Sequence, residues 1–276
     1  MPDPGAGSTT RTRHRRQTHR GLLVLSAQIG LAVILIVVWE GLARAAIVDP
    51  FFFSQPSDVA LRVVDLFRTG EILAHLRVTL TEAILALMVG TLLGLVLGFL
   101  LARVRLLADI LDPYVKVLNS LPRVVLAPIF LLWFGLGIWS KVAFGVTLVF
   151  FIVFFNTYQG VREVDRVIVD NTRMLGAKER QLLRHVFLPS ALTWIFSSLH
   201  VSVGFAIVGA VVGEYLGSSR GVGYLISQAE GTFDTTGVFA GMVVLSAVVL
   251  IIDVVVHRLE RHLLRWKPDA LGTPTS

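Results

Sequence analysis

Long apolar blocks decide what this chain can become. Six segments, roughly 21–40, 76–102, 118–136, 141–159, 190–216 and 238–258, are predominantly apolar. A bilayer core takes about 20 such residues per helix, and it admits only helices or closed barrels, whose backbones bond internally. The blocks therefore predict an all-α, polytopic membrane protein with six transmembrane helices. Composition agrees: 54% of the 276 residues are hydrophobic and 16% charged, where a soluble domain carries roughly 25% charge. Pro122 and Pro128 interrupt the third block and predict a kinked or broken helix there.

Arg11, Arg13, Arg15, Arg16 and Arg20 precede the first apolar block, and Ala43, Arg44 and Ala45 after it resemble a signal-peptidase site. The block exceeds the usual apolar region of a signal peptide, and Glu40 and Arg44 crowd the cleavage position, so an uncleaved first span is expected. Residues 1–20 read as a disordered basic cytoplasmic tail. Residues 21–75 read as the first span plus an outer loop in which Ser57 caps a short helix through Phe67. Residues 76–267 form the core, with an inner loop over 160–189, and 268–276 a second cytoplasmic tail. Arg103, Arg105, Lys116, Arg162, Arg166, Arg173, Lys178, Arg180, Arg184 and the C-terminal basic residues then fall inside. Arg44, Arg62, Arg68, Arg77, Lys141 and Arg220 fall outside, so the positive-inside rule places both termini in the cytoplasm. The net charge of +6 lies between apolar blocks and forms no stripe, which excludes a nucleic-acid binder. The absence of Cys excludes thiolate chemistry and Cys-ligated metals.

The inner loop is amphipathic. Val164, Val167, Ile168, Asn171, Met174 and Leu175 recur at helical spacing, and Gly176 stands at a C-cap position that also permits close backbone approach. Leu182, Leu183, Val186 and Phe187 begin a second stripe, and Leu188 with Pro189 leads into the next span. A helix, a glycine break and a second helix thus lie against the inner face. They form either a merely basic loop or a knob for a cytoplasmic partner.

Asp170, Asn171 and Thr172, three residues, Gly176, nine residues, then Val186, Phe187, Leu188 and Pro189 resemble the Glu-Ala-Ala loop of ABC importer permeases. The spacing matches throughout, while Asp-Asn-Thr stands for Glu-Ala-Ala. The likeness extends to the nitrate/sulfonate/taurine/bicarbonate branch. It runs through Leu121-Pro122, Ala127-Pro128 and Leu132 to Gly137, through Asn156 to Val161, through Val212 to Gly217, through Gly221 to Ile226, and through Leu259 to Trp266.

The resemblance implies a type I importer permease in the bacterial inner membrane. It implies a homodimer coupled to two separate ATPase subunits and fed a small solute, a sulfonate- or nitrate-like anion, by a periplasmic or lipid-anchored binding protein. ATP and Mg would be held by the ATPase, with no cofactor on this chain and no catalytic residue. Asp170, Thr172, Gly176, Ala177, Leu188 and Pro189 are the coupling positions it implies. This chain has no phosphate-binding Gly-x-x-x-x-Gly-Lys-Ser/Thr loop of its own.

Polar groups within spans are costly and point to function. Asn119, Ser198, His200, Ser202 and Glu214 are candidate lining residues of a translocation path. Each also has a structural reading: serines satisfying helix carbonyls, His200 as a packing residue, Glu214 as a cap or a partner of Arg220. Gly90, Gly94 and Gly98, spaced by four, suit close helix packing. The alternative function is a secondary transporter driven without ATP, though no internal repeat supports it. No metal motif or nucleophile elbow points to an enzyme.

Overall fold

A computed structural model describes residues 8–263, with the side chains of residues 8–22, 25, 192–193 and 259–263 outside the description. The motif at Leu264 to Trp266 and the tail 268–276 lie beyond the described residues. All regular structure among them is helical. Among the described residues five helices are long and apolar enough to cross a membrane, or six crossings if one sharply bent pair counts as a single span.

The chain divides into two units, residues 1–62 and 63–276. In the first, helix α1 (Ser8–Arg44) carries the span Ser26–Arg44. It begins at Ser8, inside the segment expected to be a disordered tail; a helix nucleated in the apolar block extends cheaply into its flank. Helix α2 (Pro50–Phe53) is capped by Asp49, whose Oδ1 accepts from Phe51 N at 2.9 Å. Helix α3 (Pro56–Arg68) starts with proline at its first position, where no N–H is needed. Ser57 is therefore not its cap. Its amide and hydroxyl instead donate to Glu40 at 3.0 and 2.9 Å, which ties the end of α1 to the turn before α3.

The second unit is built on helices α4 (Glu71–Arg103), α7 (Ile138–Arg162) and α10 (Leu188–Leu216), which pack against one another. Small residues set their spacing. A Cβ placed on Gly94 would lie 2.8 Å from Val153 Cβ and 2.9 Å from Phe150 O, and one on Gly98 would lie 2.7 Å from Phe154 O. The glycine row of α4 thus touches the backbone of α7. Gly145 and Gly209 do the same between α7 and α10, where a Cβ on Gly209 would meet Gly145 Cα at 2.5 Å. Ala83, Val149, Val153, Ala206, Ile207 and Ala210 fill the core between them. Helix α12 (Thr235–Leu263) carries the last span, and α11 (Val222–Gly231) packs on α10 and α12.

The third block, 118–136, is broken as its prolines predict: helix α5 (Arg105–Ser120), a short 3₁₀ turn at Arg123–Leu126 and helix α6 (Ala127–Phe134) form a pair bent by 89°. Leu121 is extended before Pro122, as a residue preceding proline must be. Pro128 sits in the first turn of α6, where its missing N–H costs nothing. The other expected spans appear within a few residues of their positions.

Replacing Gly94 by leucine forces α4 and α7 apart and should destabilise the fold by about 3 kcal/mol or more. Gly204→Ala, in open space on α10, should be neutral or stabilising by up to about 1 kcal/mol. Thermal unfolding in detergent checks the contrast.

Candidate functional site

At one end of the bundle the loop 160–189 folds as helix α8 (Arg166–Met174) and helix α9 (Glu179–Leu182). Asp165 caps α8, its Oδ1 accepting from Val167 N at 2.8 Å. At the other end Gly176 adopts φ +84°, and its N–H bonds Arg173 O at 2.9 Å while Ala177 N–H bonds Thr172 O at 3.2 Å. This pair of bonds is a Schellman C-cap, which needs a left-handed residue. A Cβ on Gly176 would meet nothing within 4 Å. Within the chain, glycine is therefore required by its backbone angle.

No break occurs at Leu188 and Pro189. A π-turn over Leu183–Phe187 carries α9 directly into α10. Pro189 lacks an N–H for the residue four before it, and its ring would collide with that carbonyl; the wider turn absorbs both.

The apolar residues of the loop divide between two faces. Val161, Val169, Leu182, Phe187 and Ala191 form a buried core, with Val164, Ala177 and Val186 against it. Val167, Ile168, Met174 and Leu175 point away, the last two 85% and 88% exposed. Asp170 is exposed, and the Thr172 hydroxyl donates to Ile168 O at 2.6 Å. Glu179 braces the assembly. It accepts from Arg173 of α8 at 2.8 Å and from Arg103 at the end of α4, while the Arg103 guanidinium covers the Phe187 ring at 4.3 Å. The Arg173 hydrogen bond, and after it that of Arg103, holds the Glu179 carboxyl below its usual range. Sequence reasoning missed this brace: Arg103 and Glu179 are 76 residues apart and no spacing links them.

The opposite end of the same bundle holds a buried polar hub. Lys141, counted from sequence as an outer-loop cation, is fully buried in the first turn of α7. Its ammonium donates to Leu136 O at 2.6 Å and Gly137 O at 3.1 Å. Glu82 of α4 and Glu214 of α10 are 1% exposed and lie within electrostatic reach of it. Glu214 also accepts from Gly223 N at 2.8 Å, and Thr79 Oγ1 of α4 accepts from Val222 N at 2.9 Å. His75 Nδ1 lies 3.0 Å from Gly221 N. The free N–H groups at the start of α11 are thus satisfied by side chains of α4 and α10. Gly221 is needed there, since a Cβ would fall 2.1 Å from Glu214 Cδ. Glu214 is therefore a cap, and no ion pair joins it to Arg220 among the described residues.

The other path candidates do not converge. Asn119 accepts from Arg123 at 2.6 Å at the α5–α6 bend. Ser198 is buried and donates to Ile195 O at 2.7 Å, as a serine in a membrane helix commonly does. Ser202 is wholly buried. His200 lies 3.4 Å from Asp253 of α12, its ring 6.2 Å from that of His257. Ser198, Ser202 and Glu214 are buried within this chain.

The description "binding-protein-dependent transport system inner membrane component" matches residues 90–265. The chain belongs to this family. It is a multi-pass inner-membrane permease subunit of an ABC importer. The Bacillus subtilis protein named for aliphatic sulfonates transport, SsuC, is 34% identical to the permease over 88% of each chain. The formylaminopyrimidine transport permease ThiX of Halalkalibacterium halodurans is 35% identical over 85% of this chain and 93% of its own. The taurine permease TauC of Escherichia coli is 27% identical over 88% and 90%. The inward-facing MetNI methionine ABC transporter superposes with TM-score 0.61 at 18% identity, covering 69% of the permease and 95% of its chain, and shows the fold.

Glu179→Gln should loosen α8 and α9, seen as faster amide exchange there. In the native permease the brace is complete above the unfolded carboxylate range, about pH 4.3. It is lost as pH falls through the lower folded value, so acidification should reproduce the variant's exchange pattern only well into acid. At the other end, Thr79→Val leaves the Val222 N–H unpaired and should cost about 1–3 kcal/mol of thermal stability.

Proposed function

We propose that two copies of this permease form the membrane path and that two ATPase subunits dock on the loop 160–189. The observation that carries this reading is the pair Met174 and Leu175. Both are almost fully exposed at the tip of a helix whose other face is locked into the bundle. Large apolar side chains held in water on a braced, cap-terminated helix are the anchors a protein partner buries, each for about 1.5–3 kcal/mol. Asp170, Thr172, Gly176 and Ala177 set the shape of this knob, and Leu188 and Pro189 transmit its position into α10 through the π-turn.

The arginine-rich distribution around the loop supports a cytoplasmic position for it and for both termini. ATP and Mg are then held by the docked subunits, whose closure moves α8 against the bundle. A binding protein delivers the solute at the opposite face, near the capped start of α11. The relatives' names divide between sulfonates or taurine and heterocyclic compounds. A small organic solute of the sulfonate type is the first class to test, chosen by the binding protein. The one buried cation among the described residues, Lys141, has its ammonium committed to two carbonyls and offers no anion site.

Met174→Glu with Leu175→Glu should reduce copurification of the ATPase subunits at least about tenfold, as expected on replacing two interface anchors, without lowering the amount of permease in the membrane. Gly176→Val, strained at φ +84° by about 1–2 kcal/mol, should give a smaller loss. Normal copurification of the double variant would refute the docking reading.

A further inference from the structure

Beside the docking loop, the ends of four helices enclose a cavity of about 510 Å³, within the range of small-ligand sites. Its rim carries five guanidinium groups: Arg103 from α4, Arg105 from α5, Arg162 from α7, and Arg166 and Arg173 from α8. Asp109 and Asp170 are the carboxylates in its wall. Glu179 occupies Arg103 and Arg173 from one side. Five cations against these three carboxylates leave two positive charges in excess. Arg162 donates to the Tyr158 hydroxyl, and Arg166 has no hydrogen bond or ion pair among the described residues.

Like charges gathered around a partly enclosed space repel unless an anion joins them. Guanidinium forks match phosphate oxygens in pairs, so a phosphate group is the chemistry this rim fits. The position of the cavity identifies the source. Leu101, Ala102 and Val161 line it from the last turns of the spans α4 and α7, with Phe187 from the turn before α10. A basic rim directly above apolar span ends has the profile of a phospholipid at the edge of the bilayer, and basic pockets between spans bind such headgroups.

We propose that this cavity holds the phosphate headgroup of an anionic phospholipid. The lipid would bridge α7 and α8 next to the Glu179 brace and so bear on how firmly the docking loop is held. The site is read from the cavity itself and not from the docking reading.

The test uses the purified importer complex in detergent, given phosphatidylglycerol, phosphatidylcholine or inorganic phosphate, with bound lipid counted by native mass spectrometry. Phosphatidylglycerol should be retained over phosphatidylcholine. Arg166→Gln should weaken that retention about fivefold, and Arg162→Gln with Arg166→Gln about thirtyfold. Arg180→Gln, a cation outside the cavity, should change nothing. Because the Arg166 side chain makes no hydrogen bond or ion pair among the described residues, its variant should keep the native thermal midpoint in phosphatidylcholine. Equal retention of the two lipids overturns the proposal. So does unweakened phosphatidylglycerol binding in the double variant, or an equal loss in Arg180→Gln. Displacement of the lipid by millimolar inorganic phosphate would assign the rim to the free anion and overturn the lipid.

Discussion

The contact of α4 with α7 and of α7 with α10 through glycine is the constraint on which the rest of this permease depends. Within a membrane no hydrophobic effect draws helices together, and close backbone packing has to do so. Gly90, Gly94 and Gly98 let α7 lie on α4, and Gly145 with Gly209 lets α10 lie on α7. The three helices then behave as one block. Polar groups that would be intolerable singly can be placed at its ends, because their partners are held at fixed distance.

Each end uses that block differently. At one, Glu82, Lys141 and Glu214 are buried together, and Glu214 with Thr79 and His75 supplies the hydrogen bonds that the start of α11 lacks. Substituting any one of these partners exposes an unmet backbone group in a dry environment. At the other end α8 and α9 are folded against the bundle by an apolar core and by Glu179 between two arginines. The first end is rigid by burial. The second is held in part by exposed charges, weaker in water.

The spans were legible because length and apolarity are one-dimensional properties. The loop was legible through Gly176, whose role as a C-cap follows from local backbone geometry alone. The broken third segment was foreshadowed by Pro122 and Pro128, but not its 89° bend or the amphipathic α5 before it. Ser57 was misread because a nearby proline offered an equally good helix start and Glu40, distant in sequence, claimed the hydroxyl. Glu214 was open among three roles, and a cap was one of them. The choice needed α11 to be placed over it.

By itself, then, the sequence determined an all-helical membrane permease, its five long spans and the helix–glycine–helix loop. Those features rest on hydrophobic length and on backbone angles that neighbouring residues impose. Tertiary structure alone decided that Lys141 is buried, that Glu179 clasps Arg103, and that the loop's apolar residues part into a packed face and the exposed tip at Met174 and Leu175. The Arg103–Glu179 pair and the approach of Glu82 and Glu214 to Lys141 join residues dozens of positions apart. Only the packing of α4, α7 and α10 brings them within bonding distance.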